Sequence, residues 1–188
     1  MVKRFDREHT KTGYRRGRML SALTLLRADD DPMRRDNWSY ISLVEELRRI
    51  SSQPKEDAPE LFRRMVFNAL ISNIDDHPRN HAVVHMDTDW KLSPAYDLTP
   101  TTPISTEHRD LALVCGDMGR FANAENLLTQ CERFYLQPDD AKNIIDQMEA
   151  IVIDYWYAVA RREEVTEKDC EKISTAFNYP GFRLEAAA

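Results

Sequence analysis

The chain has 188 residues, 42% of them hydrophobic and 31% charged, with a formal net charge of −6. That suffices for one ordinary domain or one lobe of a larger enzyme, and the mildly acidic balance gives no general pull toward nucleic acid or an anionic membrane. No apolar run approaches the roughly 20 residues of a membrane span and no signal-type segment follows the basic start, while Cys115, Cys131 and Cys170, without a C-x-x-C pair, argue against a disulfide framework or a zinc ribbon.

The expected compartment is therefore the reducing cytoplasm. Along the chain, Val2 to Phe5 reads as the end of a strand whose partners lie elsewhere, which would leave backbone groups seeking a partner chain. In the first eighteen residues Lys3, Arg4, Arg7, Lys11, Arg15, Arg16 and Arg18 stand against only Asp6 and Glu8. This basic patch faces phosphate or a partner on the sharper reading, and solvent on the plainer one. Arg18 to Arg27 is apolar and too short to choose between helix and strand, and Asp29 to Asn37, with Pro32, is a polar loop. Ser39 then caps a helix from Tyr40 to about Ile50, because Tyr40, Leu43, Val44, Leu47 and Ile50 recur at helical spacing opposite Glu45, Glu46, Arg48 and Arg49. Pro54 breaks it. A second helix starts on a capping-box pair, Asp57 and Glu60, tolerates Pro59 in its first turn, buries Leu61, Phe62, Met65, Val66, Ala69 and Leu70, and ends near Ser72. Arg63 and Arg64 are assigned to its solvated face.

From His81 to His85 and Trp90 to Leu92 the alternation predicts a small antiparallel hairpin, with Met86 to Asp89 as its turn. Pro94 and Pro100 bracket and stiffen a loop holding Tyr96 and Asp97. Leu111 to Val114 predicts a short strand closed by Gly116 and Gly119. Helices follow: one from Asn123 to Phe134; a long one opened by Pro138 and running to about Arg162, with Ile144, Ile145, Met148, Ile151, Val152, Tyr155 and Val159 as its apolar face; and a last one from the capping pair Thr166 and Asp169 to Phe177. Trp90, Tyr155 and Trp156 read as core. Asn178 to Ala188 predicts a frayed tail, and no internal domain boundary is evident.

The chemistry concentrates between Asn73 and Pro100, in NIDDHPRNHAVVHMDTDWKLSPAYDLTP. Asp75 is followed five positions later by Asn80, and Asp97 returns after the hairpin. A carboxylate that accepts a hydroxyl proton, followed by an amide oxygen and a second carboxylate as hard donors for Mg2+, is the set protein kinases use in this order. Asp76 would sit one place too close to Asn80. Asn73-Ile74-Asp75 stands where a conventional kinase has His-Arg-Asp, Tyr96-Asp97-Leu98 where it has Asp-Phe-Gly, and none of the five glycines belongs to a phosphate loop. Other readings remain. Asp75 and Asp76 together could form a paired-carboxylate hydrolase site, or Asp76 could be a cap or an ion-pair partner of Arg79. His77, His81 and His85 recur every fourth residue, as zinc ligands on a helix would, but Pro78 and the alternation after it favour loop then strand.

NIDDHPRNHAVV followed by WKLSPAYDLTP, with VKRFDRE at the N-terminus, resembles the C-terminal part of the HipA family, serine/threonine protein kinases known as toxins of bacterial toxin-antitoxin pairs. The motifs stand in order from Val2 to Pro100, with a looser helical likeness to about Phe177. The resemblance implies a mainly α fold, the kinase-like large lobe with a small β-hairpin. That lobe would fill residues 1–188, with about 1–7 the remnant of a hinge to an N-terminal lobe absent from this chain, a lobe to be sought on another chain or in frame upstream. It implies ATP and Mg2+ as cofactors. Asp75 would be catalytic, with His77 orienting its loop; Asn80 and Asp97 would bind the metal; Arg4, Phe5 and Tyr96 would adjoin the nucleotide. Lys3 replaces an acidic residue found in some relatives. Partners would be a protein substrate and an antitoxin, through which alone nucleic acid would be met. The alternative, from another class, is a non-catalytic remnant or interaction subunit that binds Mg-nucleotide or a partner chain without transferring phosphate.

Overall fold

The computed structural model describes residues 4–85, 89–102, 105–177 and 179–183. Pairing begins at β1 (Arg7–Thr10), which forms an antiparallel hairpin with β2 (Gly13–Arg16), Arg7 opposite Arg16 and Thr10 opposite Gly13. Gly13 has φ +136°, a conformation that side chains disfavour, so the reversal needs glycine there. The predicted strand at Val2 to Phe5 is absent at Arg4 and Phe5, and Val2 and Lys3 lie outside the described residues. The hairpin neutralises part of the basic patch from within: Arg15 meets Glu8 at 2.6 Å, and Arg4 grips Asp6 through two bonds of 2.7 and 2.6 Å. Hydrogen bonding from Arg4 holds the Asp6 carboxyl well below the usual carboxylate range.

The ambiguous apolar run becomes both things at once, β3 (Arg18–Ser21) and a single helical turn, α1 (Ala22–Leu25). The predicted hairpin forms as β4 (Ala82–His85) and β5 (Trp90–Leu92), with Val83 opposite Leu92 and His85 opposite Trp90. It gains β3 as a third antiparallel strand, in the order β3-β4-β5. Met86 to Thr88 of its turn lie outside the described residues.

Two helices carry the core. In α2 (Tyr40–Ile50) the Ser39 hydroxyl accepts from the backbone of Ile41 and Ser42, and Tyr40, Leu43, Val44 and Leu47 are buried. Its neighbour α3 (Pro54–Leu70) starts at Pro54, a position where the missing N–H costs nothing, about a turn earlier than the capping pattern predicts. Pro59 consequently lies inside the helix. Asp57 is no cap: it is buried, and its carboxylate accepts from the Ser51 hydroxyl, the Gln53 amide and the backbone N–H of Leu92, tying the α2–α3 joint to β5. Arg64 departs from expectation too. Only 7% exposed, it donates to Glu60 at 3.0 Å and to the Ser93 carbonyl at 2.6 Å.

Between Asp110 and Phe121 the expected strand is replaced by a loop with isolated bridges, organised by the buried Asn126 side chain, which donates to the carbonyls of Gly119 and Phe121 and accepts from the N–H of Met118. Gly116 is pressed against it. A Cβ there would lie 2.0 Å from the Asn126 carbonyl. The predicted helix at 123–134 is interrupted: α4 (Ala124–Leu128) ends where the Thr129 hydroxyl bonds back to the Asn126 carbonyl, and a 3-10 turn, Cys131–Phe134, follows. Phe134 meets Phe62 edge-on in the core.

The long helix α5 (Pro138–Arg162) forms as predicted, yet only part of its apolar face is covered. Ala141, Ile145 and Val152 are buried, whereas Ile151, Tyr155 and Val159 are exposed. Trp156 stacks on Phe177 of the last helix, α6 (Glu167–Phe177), whose start is capped by Thr166. Residues 179–183, part of the predicted frayed tail, instead pack: Phe182 is buried, and Tyr179 lies 4.2 Å beneath the Arg109 guanidinium. Among the described residues no helix is long and apolar enough to cross a membrane.

Candidate functional site

The end of α3 sets the site. Past Leu70 the chain turns through Ser72, held at φ +54°, and the Asn73 N–H closes on the Asn68 carbonyl at 2.8 Å. The root is clamped from far away. Arg109, 4% exposed, donates to the Ser72 hydroxyl at 2.6 Å and to the Thr175 carbonyl at 3.0 Å, while Ser72 donates to the Ala176 carbonyl at 2.8 Å. Burial lowers the pKa of this guanidinium without removing its charge.

From that root the Asp75 loop folds on itself. The Asp75 carbonyl accepts from the His77 N–H at 2.9 Å and from the Asn80 side-chain amide at 3.1 Å, and Asn80 closes a 3-10 turn, Pro78–Asn80, begun by proline. The five-residue interval thus joins Asp75 to Asn80. Because a carbonyl can only accept, the Asn80 nitrogen must face Asp75, and its amide oxygen is turned away from that bond. The Asp75 side chain is exposed.

Asp76 points the other way. It is fully buried; one carboxylate oxygen takes the Tyr40 hydroxyl and the other lies 2.7 Å from His81 Nε2. Burial, and then the Asp76 charge, push the Tyr40 phenol well above its ordinary pKa, so it remains a donor. The polar chain continues inward. Asn68 donates to the Tyr40 oxygen at 3.0 Å, and the Asn73 amide donates both to Asn68 Oδ1 at 3.1 Å and to the Asp97 carbonyl at 3.3 Å. A buried hydrogen-bonded chain therefore runs from the Asp75 loop to the backbone of the Asp97 loop.

Asp97 adopts φ +58°, a left-handed conformation that aspartate tolerates better than most residues, and its side chain is exposed. The preceding Tyr96 donates to the Arg79 carbonyl at 2.6 Å, a second tie between the loops, and its ring centroid is 5.6 Å from that of Phe5. Burial, with a smaller push from Asp97 and an opposing pull from Arg64, raises the Tyr96 phenol to about 12. The fold thus favours the protonated phenol. That contribution is fully present below the ordinary value of 10 and is lost as pH rises through about 12. The absorbance difference between wild type and Tyr96→Phe should accordingly show phenolate appearing near pH 12; ionisation near pH 10 would mean that the half-buried setting of this phenol does not persist in solution.

The structure therefore brings Asp75 and Asn80 into one turn, ties the Asp97 loop to Asn73, and sets Phe5 beside Tyr96. Arg4 is engaged with Asp6. His77 shapes the loop through its backbone; its ring Nδ1 is buried without a hydrogen-bond partner among the described residues, so the expected side-chain orienting bond is not made by that atom. Arg79 pairs with Asp30 at 2.5 Å, and Asp76 is not its partner. The inward turn of Asp76 separates it from Asp75 as a paired-carboxylate site. With His81 committed to Asp76 and His85 against Trp90, the three histidines do not converge, and the described residues contain no group of three His, Cys, Asp or Glu able to hold a metal. Sequence reasoning missed Tyr40, Asn68 and Asn73. The available signal was an amide, Asn68, within the apolar face of α3.

The helical lobe, with a small sheet and two tied loops at one end of α3, defines a class. Residues 1–156 match the HipA-like C-terminal domain family, and the chain belongs to that family. It is 37% identical over 63 residues to "Putative kinase Y4mE" of Sinorhizobium fredii (strain NBRC 101917 / NGR234), a stretch that is 34% of this chain and 15% of that protein. A chain of the solved Shewanella oneidensis MR-1 toxin-antitoxin complex of HipA, HipB and operator DNA shares its fold, with a TM-score of 0.71 and 16% identity over 96% of this chain and 46% of that one. The chain thus spans less than half the length of either relative.

Proposed function

We propose that this chain is the large lobe of an ATP- and Mg2+-dependent serine/threonine protein kinase of HipA type, acting in the cytoplasm. The observation that carries the reading is the pair of ties that join the loop of Asp75 and Asn80 to the loop of Asp97, through Asn73 and through Tyr96. The donor set fits the cofactor: two exposed carboxylates and an amide oxygen are the hard ligands Mg2+ takes, and the Phe5 and Tyr96 rings offer apolar surface for a nucleotide base. Asn80 and Asp97 would hold the metal, which when bound supplies charge neutralisation at the phosphates. Asp75 orients the acceptor hydroxyl and takes its proton; its side chain is exposed and has no hydrogen-bond partner among the described residues. Arg4 joins the nucleotide contacts by exchanging Asp6 for the ligand.

The rest of the phosphate site and the hinge partner belong to an N-terminal lobe, which this reading places on another chain or elsewhere in the protein. By analogy with the HipA–HipB–DNA assembly, an antitoxin is the proposed regulatory partner. Calorimetry with ATP and Mg2+, on the chain alone and joined to a HipA-type N-terminal lobe, tests the reading. Saturable, Mg-dependent binding that disappears in Asp97→Ala is expected. Absence of binding in both forms overturns it. Binding with no transfer to any Ser or Thr substrate, in the joined form, selects the non-catalytic interaction subunit instead.

A further inference from the structure

A cleft of about 540 Å3 opens beside the Asp75 loop, between Ile74 and the segment that follows Asp97. Its lining includes Arg35, Arg109 and Arg120 against a single carboxylate, Asp110. The surplus of positive charge stands out on a chain with a net charge of −6. The groups differ in what they have left to offer. Arg109 is spent on the fold: its Nε donates to the Ser105 carbonyl, a terminal nitrogen to Ser72 and Thr175, and its face covers Tyr179. Asp110 is equally occupied, with one oxygen 2.9 Å from His108 Nε2 and the other accepting from Arg120 at 3.2 Å. Arg35 uses only its Nε, on the Pro32 carbonyl at 2.7 Å, and leans over Trp38. Both its terminal nitrogens are without an acceptor among the described residues, and Arg120 commits one of its own.

We infer that this cleft receives the acceptor segment of the protein substrate and selects acidic residues flanking the Ser or Thr. The inference rests on the kinase reading for its biological meaning, though not for its measurement. Arginine forks match carboxylates with two parallel bonds. Ile74 is one residue from Asp75, so a segment seated there lies within a few residues' reach of the proposed base. His108, stacked on Phe121 at 4.1 Å, stiffens the wall that carries Asp110 and Arg120.

The experiment is fluorescence anisotropy with three labelled serine peptides that differ only in flanking residues: Asp/Glu, Gln, or Lys. Each is titrated with wild type and with Arg35→Glu/Arg120→Glu, with thermal unfolding as the control for folding. The acidic peptide should bind wild type about tenfold more tightly than the neutral one, and the preference should reverse in the double variant. If that variant unfolds, Arg35→Gln and Arg120→Gln singly should each reduce the preference. Equal affinities for the three peptides, a preference unchanged by the substitutions, or equal competition by inorganic phosphate or a single-stranded oligonucleotide would overturn the proposal. Calorimetry with ATP and Mg2+ on the same samples separates the two ideas. Nucleotide binding without peptide preference removes only the cleft, and peptide preference without nucleotide binding removes only the kinase reading.

Discussion

Asp75→Asn, in the chain joined to a HipA-type N-terminal lobe, is expected to lower phosphoryl transfer by at least about 100-fold while Mg-dependent ATP binding survives. The local geometry makes the substitution a clean one. Asp75 holds its loop through its carbonyl, which takes the His77 N–H and the Asn80 amide, and the side chain is exposed. Asparagine keeps the shape and the carbonyl but cannot take up the hydroxyl proton. The positions of Asn80 and the Asp97 loop should be unchanged, and with them the thermal midpoint. Turnover and nucleotide affinity are measured on the same preparation; wild-type turnover by the variant would remove Asp75 from the base role and leave the loop a purely structural turn.

One residue on, the expected outcome is of a different kind. Asp76→Ala should destabilise the protein by about 3 to 5 kcal/mol, because the Tyr40 hydroxyl and the His81 ring would each be left buried without their acceptor. For a chain of this size that corresponds to a thermal midpoint lower by roughly 6 to 20 °C. Asp75→Ala, at an exposed position, should stay within about 0.5 kcal/mol of wild type. Thermal denaturation of the two alanine variants side by side checks the contrast. Similar losses at both positions would contradict the division of labour that the fold assigns to these adjacent aspartates.

That division marks a boundary of what was legible in the sequence. Residue type and interval pointed to Asp75, Asn80 and Asp97, and in the fold their loops are tied through Asn73 and Tyr96, but nothing local says which of two neighbouring aspartates faces inward. Its answer lies in Tyr40, thirty-six positions away. The helices at Tyr40 and Pro138 were readable because a 3.6-residue apolar repeat and a cap or proline are local signals. The β1–β2 hairpin was not, since its residues are mostly exposed and polar and show no apolar alternation. Asp57 shows how a local pattern misleads: a carboxylate three residues before Glu60 looks like a cap, while the groups it binds come from the preceding turn and from β5. Ile151, Tyr155 and Val159 fit the helical repeat as well as the buried Ile145 does, yet covering them depends on a neighbouring element that the described structure does not place there. Periodicity identifies a face; its burial depends on what packs against it.

The clamp on Ser72 has a consequence for how the molecule is handled. Two carbonyls near the end of α6 anchor the root of the Asp75 loop: that of Ala176 accepts directly from Ser72, 104 residues away, and that of Thr175 accepts from Arg109, which itself donates to Ser72. Strain introduced at α6, by shortening it or by fastening something rigid to it, is thus delivered straight to the turn from which Asp75 projects. The last helix is a tension member for a loop that lies far from it in sequence.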